Sequence, residues 1–102
     1  MNNINKYKGD FKVTSDMVSN GKMIEGMIPR EVTGSFYCSN LELTSLEGCP
    51  ELVGESFMCS NNELTSLKGG PKYVNRSFYC RNNLLSSLVG SPESVGGSFL
   101  VS

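Results

Sequence analysis

The side chains best suited to chemistry are the cysteines, and three of the four, Cys38, Cys59 and Cys80, stand 21 residues apart. Thiols at a regular spacing suggest a metal or redox site. A zinc set, however, is built from paired cysteines and histidines, and the chain has no Cys-x-x-Cys pair and no histidine. Valine holds the equivalent position elsewhere, at Val13 and Val101. A place filled by either valine or cysteine calls for a small apolar side chain, which a free thiol supplies. Cys49 falls off this beat, in a loop where other units carry Gly70 or Ser91, and is expected to be an exposed thiol. Free thiols in these roles fit a reducing compartment.

The remaining reactive groups show no better organisation. Glu25 and Glu47 both precede a glycine, but Lys68 and Val89 replace them in later units, as at a solvated position. Serine is abundant, yet no Gly-x-Ser-x-Gly turn is present. The glycines keep the spacing of the repeat and form no phosphate-cradling loop. Without histidine the commonest general base is missing. The expectation is a non-enzymatic protein with no catalytic residue, no metal and no cofactor.

Composition narrows the partners. A length of 102 residues allows one domain with one core. A net charge of −1 and no basic block give no reason to expect nucleic acid or an anionic membrane surface. The first residues lack the apolar run of a signal peptide, and no stretch is fit to span a bilayer, so the expected compartment is the cytoplasm.

The elements that position these residues follow from an internal repeat. All four prolines fall at 21-residue steps, at Pro29, Pro50, Pro71 and Pro92. The last four of the five phenylalanines, Phe36, Phe57, Phe78 and Phe99, keep the same step, with Phe11 before them. Tandem self-similarity at a fixed period marks a stacked array. The chain divides into an irregular N-terminal capping unit (1–31), full repeats at 32–52, 53–73 and 74–94, and a partial terminal strand at 95–102. Extra residues in the first unit, around Ser19 to Met23 and near Met27, are assigned to loops. In each unit Phe-x-Cys has the period of two that defines a strand with both residues facing one way. Asn61-Asn62 and Asn82-Asn83 then supply a turn, and a Gly-x-Pro or Gly-Pro segment turns the chain back. Little room remains for helix, so a short extended or 3₁₀ segment is expected on the back. A single unit would leave its Phe, Cys and two Leu in water. Stacked units bury them in columns at about 4.8 Å. The fold class is a β-rich solenoid with a parallel sheet of about five short strands.

The spacing Phe57-x-Cys59-x-x-Asn62-x-Leu64, which returns at Phe78, Cys80, Asn83 and Leu85, resembles the core of the leucine-rich repeat. Leu67 and Pro71 make it similar to the short bacterial form and to small repeat proteins of bacteria and phages. Leu41 and Asp16 depart from the pattern at the Asn position, so a side-chain ladder there is expected to be incomplete. The resemblance implies a coil with its parallel sheet on the concave face and little or no helix on the convex side. A phage-borne inhibitor of a host protein is one function it implies.

A binding surface follows from strand geometry. The residue between Phe and Cys (Lys12, Tyr37, Met58, Tyr79 and Leu100 in turn) must point opposite to the buried pair. Serines at 35, 56, 77 and 98 border this stripe on one side, and Ser39, Ser60, Arg81 and Ser102 on the other. Tyr, Met and Arg are enriched at protein contacts, and small borders let a partner approach. Tyr37, Met58, Tyr79, Leu100, Arg81 and Lys12 are therefore the expected partner-binding residues of a protein-recognition module. The alternative is that cross-strand contacts in the stripe merely support the sheet. A self-assembling structural repeat, or the recognition part of a larger effector, is the alternative function. Five strands span only about 20 Å, less than a standard interface needs. Ile4 and Tyr7 are expected to cover the first coil. The terminal strand Phe99–Ser102 has no cap, so a homodimer through that coil, or a truncated chain, is expected.

Overall fold

The computed structural model describes residues 5–101. It is a β-solenoid in which short strands recur once per coil in each of two positions. In chain order the strands are β1 (Lys6–Tyr7), β2 (Phe11–Lys12), β3 (Val18–Ser19), β4 (Lys22–Met23), β5 (Glu31–Val32), β6 (Phe36–Tyr37), β7 (Leu52–Val53), β8 (Phe57–Met58), β9 (Tyr73–Val74), β10 (Phe78–Tyr79), β11 (Ser94–Val95) and β12 (Phe99–Leu100). The only helical element among the described residues is a 3₁₀ turn at Ser15–Met17.

The Phe-x-Cys segments pair as expected into a parallel five-stranded sheet, β2-β6-β8-β10-β12, with Phe11, Phe36, Phe57, Phe78 and Phe99 in register. A second parallel five-stranded sheet, β1-β5-β7-β9-β11, aligns Tyr7 with Val32, Val53, Val74 and Val95. Spacing had predicted one sheet. Each strand of this valine sheet contributes a single inward residue, so no alternation reveals it. A three-residue corner such as Gly54-Glu55-Ser56 links each valine strand to the next phenylalanine strand.

Inside, like residues stack on like. Phe36, Phe57 and Phe78 are fully buried, with ring centroids 5.3 and 5.2 Å apart. Columns of Val32/Val53/Val74, Cys38/Cys59/Cys80, Leu43/Leu64, Leu46/Leu67 and Pro29/Pro50/Pro71 complete the core. The turn after each cysteine is made by Asn40, Asn61 and Asn82 at φ of 60°, 61° and 58°, a left-handed conformation that asparagine tolerates better than most residues. The return turn needs glycine on two counts. Gly69 and Gly90 have φ of +83° and +92°, and a Cβ on Gly90 would lie 2.3 Å from the backbone nitrogen of Lys68.

The first unit departs from the expected loop. Residues 18–23 form an antiparallel hairpin, β3–β4, around Asn20-Gly21, both at positive φ (55° and 77°). That pair of dihedrals is the turn an Asn-Gly hairpin favours. The Gly21 carbonyl accepts the Thr44 N–H at 2.9 Å, and Met23 is buried, so the extra residues cover the next coil. Tyr7 sets its ring edge-on to Phe11 at 5.0 Å and closes that end of the phenylalanine column. Ile4, the other expected capping residue, lies outside the described residues, as does Ser102.

Candidate functional site: the outward row of the phenylalanine sheet

In-register pairing carries Lys12, Tyr37, Met58, Tyr79 and Leu100 into one row across the sheet, each opposite its neighbour. Adjacent members are separated by the strand spacing of about 4.8 Å. Phe and Cys on either side of each row residue point inward and are buried in the central coils, which forces the intervening side chain outward. Tyr37, Met58 and Tyr79 are half-buried by one another's company, while Lys12 and Leu100 are exposed. Arg81 is exposed two residues beyond Tyr79. Its backbone is fixed, since its N–H donates to Ser60 Oγ at 3.0 Å and its carbonyl accepts the Asn61 N–H at 2.9 Å. All six expected contact residues therefore belong to one side of one sheet.

The serine border has a different role from the one expected. Ser35 is buried, and its Oγ accepts the N–H of Ser56 at 3.2 Å. Ser56 Oγ does the same for Ser77 at 3.4 Å, and Ser77 Oγ for Ser98 at 3.1 Å. Asp10 starts the ladder, its carboxylate accepting the Ser35 N–H at 2.8 Å. These acceptors hold the corners between the two sheets. The signal was present in the sequence as the residue before each phenylalanine: Asp10, Ser35, Ser56, Ser77 and Ser98.

The thiols are placed against reactivity. Cys38, Cys59 and Cys80 are fully buried and free. Cys49, expected to be exposed, is half-buried: its thiol donates to the Gly69 carbonyl at 3.2 Å and packs against the core. The loop glycine that replaces it elsewhere had suggested open solvent, but the next coil covers this loop. Burial pushes the Cys49 thiol well above its ordinary value. Burial does the same to Cys38 and Cys59, with neighbouring thiols adding to the effect.

An unfolded thiol ionises near pH 8.5, and these folded thiols keep their protons far above that. The folded state therefore binds more protons than the unfolded state at alkaline pH. Stability is full below about pH 8.5 and falls as pH rises, by about 1.4 kcal/mol per pH unit for each fully buried thiol. A Cys38→Val, Cys59→Val variant, using the residue found on that rung at Val13, is expected to flatten the decline. Urea midpoints across the alkaline range test this, and parallel pH profiles for the two proteins would refute it.

A cleft of about 930 Å³ that spacing did not reveal runs along the return turns, lined in part by Lys22, Arg30, Glu47, Glu51 and Lys72. Its charges are matched: Lys22–Glu47 at 3.2 Å, Arg30–Glu51 at 3.5 Å and Lys72–Glu51 at 3.2 Å. The Lys72 ammonium, with help from Arg30, holds the Glu51 carboxyl below its usual range. The residue after each proline alternates in sign, Arg30, Glu51, Lys72, Glu93. Such exposed pairs add little stability each, but their alternation keeps like charges from stacking. The cleft is a device of coil registry. Among the described residues no group of three or more acidic or thiol side chains could hold a metal ion, and no helix is long and apolar enough to cross a membrane.

Stacked coils of about 21 residues, two parallel sheets, paired charges and buried thiols define this chain as a β-solenoid repeat protein. Compared with protein-family models, curated proteins and solved structures, it has no match in any of the three.

Proposed function

We propose that this chain is a non-enzymatic, cytoplasmic protein-binding module of the leucine-rich-repeat kind, engaging its partner through the row Tyr37, Met58, Tyr79 and Leu100 with Lys12 and Arg81 at its margins. The repeat assignment is supported by Asn62 and Asn83, whose side chains bond the backbone of successive coils at the Asn position of that motif. A phage-type inhibitor of a host protein is the concrete form suggested by the resemblance.

The observation that carries the binding reading is the row itself: two tyrosines, a methionine and a leucine aligned on the solvent side of a sheet whose other side is full. Aromatic anchors dominate binding energy at interfaces. Neighbours in the row already order these side chains, so little rotamer entropy is lost on contact. Two cationic residues beside an apolar row suit a protein surface with an acidic rim and are too few for a phosphate backbone.

A photo-crosslinking side chain at Met58 should trap a discrete partner in host cells, whereas the same probe at Leu52 on the valine sheet should not. Tyr37→Ser with Tyr79→Ser is expected to weaken binding of that partner by at least about tenfold. The urea midpoint should move little, because exposed cross-strand pairs contribute roughly 0.2–1 kcal/mol each. Equal crosslinking from both sheets, or undiminished binding by the double variant, would sink the proposal.

A further inference from the structure

A second apolar surface lies on the coil formed by the third full repeat. At two positions that face solvent sideways, the preceding coils carry charges: Glu42 and Glu63 at one, Glu47 and Lys68 at the other, all exposed. The third repeat places Leu84 and Val89 there, 64% and 54% exposed. Their exposure does not depend on which coil stands last, since Glu42 and Glu47 stay exposed in a coil flanked on both sides. Between them lies Leu88, 50% exposed, whose counterparts Leu46 and Leu67 are fully buried under the following coil. Leu85 is half-buried where Leu64 is fully buried.

The sheet edges differ in the same sense. At one edge of the solenoid, strands β1 and β2 carry Lys6 and Lys12, and lysine on an edge strand discourages pairing with another chain. At the opposite edge stand β11 and β12, Ser94–Val95 and Phe99–Leu100, with no charge, proline or bulge. One end is guarded and the other is open.

We infer that this coil docks a second copy of the same chain, end to end, about a two-fold axis. Leu46, Leu64 and Leu67 show what covers such a face inside the molecule: another coil of this repeat, and the interface between copies continues that packing. Under two-fold symmetry each residue approaches its own equivalent. A glutamate or lysine at these positions would meet its like, whereas Leu84 and Val89 do not. The net charge of −1 adds no long-range repulsion. A head-to-tail filament would instead press this face on the lysine-bearing edge. The inference rests on the third repeat and not on the tyrosine row, but a dimer would present two such rows to a partner.

Sedimentation equilibrium of the full chain, from low micromolar to near-millimolar concentration, is expected to show a monomer–dimer equilibrium. Leu84→Glu with Val89→Lys installs the residues of the preceding coil and should raise the dissociation constant by at least about tenfold with an unchanged urea midpoint. If the double variant folds poorly, Val89→Lys alone serves, together with amide exchange, which should slow at Phe99–Val101 as concentration rises. Tyr37→Ser with Tyr79→Ser should leave the dimer intact, which separates this surface from the row. A chain monomeric throughout, a dimer indifferent to the charged residues, or open-ended growth would each overturn the inference.

Discussion

Phe57→Ala is expected to lower the unfolding free energy by about 3–5 kcal/mol. The ring is fully buried between Phe36 at 5.3 Å and Phe78 at 5.2 Å, nearly parallel to the latter. Strand pairing above and below holds the three coils at a fixed separation, so the walls of the resulting cavity have little freedom to collapse. In a solenoid each coil is stabilised by its interfaces with its neighbours, and a ring in the middle of the column serves two of them. Phe99→Ala should cost about half as much: Phe99 is only half-buried and its one ring neighbour, Phe78, is tilted at 32°. Urea titrations with a constant denaturant slope measure both. A Phe57→Ala penalty no larger than that of Phe99→Ala would mean that the column does not hold the stack together.

The period that reveals this column is visible because three residue types repeat it and each has one geometric task. Phe marks the inward strand residue, Cys the next inward place, and Pro the return turn. The row of Tyr37, Met58, Tyr79 and Leu100 was legible for the same reason, since strand alternation assigns an outward direction to whatever lies between two inward residues. The valine sheet was not legible. Its strands run across the unit boundary and turn a corner before any period of two develops, so Val53 reads as a unit's first residue and not as a strand. Its outward residues Leu52 and Tyr73, both exposed, could not then be weighed as a rival surface to the row.

Other misses share one cause, the dependence of a side chain's role on the neighbouring coil. Ser56 looks like a small border residue until the N–H of Ser77 is found on its hydroxyl. Cys49 looks exposed until the Gly69 carbonyl of the next coil accepts its thiol proton. Asn20-Gly21 lies within a segment read as an insertion, but that dipeptide is itself a hairpin signal, and the hairpin's turn carbonyl serves Thr44. A repeat of 21 residues states what each coil contains and leaves open what it does for the coil beside it.

Asn62 concentrates that dependence, and Asn62→Ala is expected to cost about 4 kcal/mol. Its Oδ1 accepts the N–H groups of Leu41 at 3.0 Å and Leu43 at 2.9 Å, and its Nδ2 donates to the carbonyls of Cys38 at 2.9 Å and Cys59 at 3.0 Å. The side chain is buried, so alanine would strand backbone groups of two coils, at roughly 1–3 kcal/mol for each left unpaired. Leu41 shows why the position is not always asparagine. Its preceding coil satisfies itself: the Met17 N–H bonds Thr14, the Val18 N–H bonds Ser15, and no row of free amides faces Leu41. Asn62→Leu therefore separates volume from hydrogen bonding. Leucine fills the space as it does at position 41, but it meets the amides of a regular coil, and its cost should match that of alanine. Asn83→Ala should cost about 2 kcal/mol, because Asn83 is half-buried and water can replace part of what is lost. If Asn62→Leu proved near neutral in urea unfolding, packing alone would explain the column, and the amide ladder would have no part in locking one coil to the next.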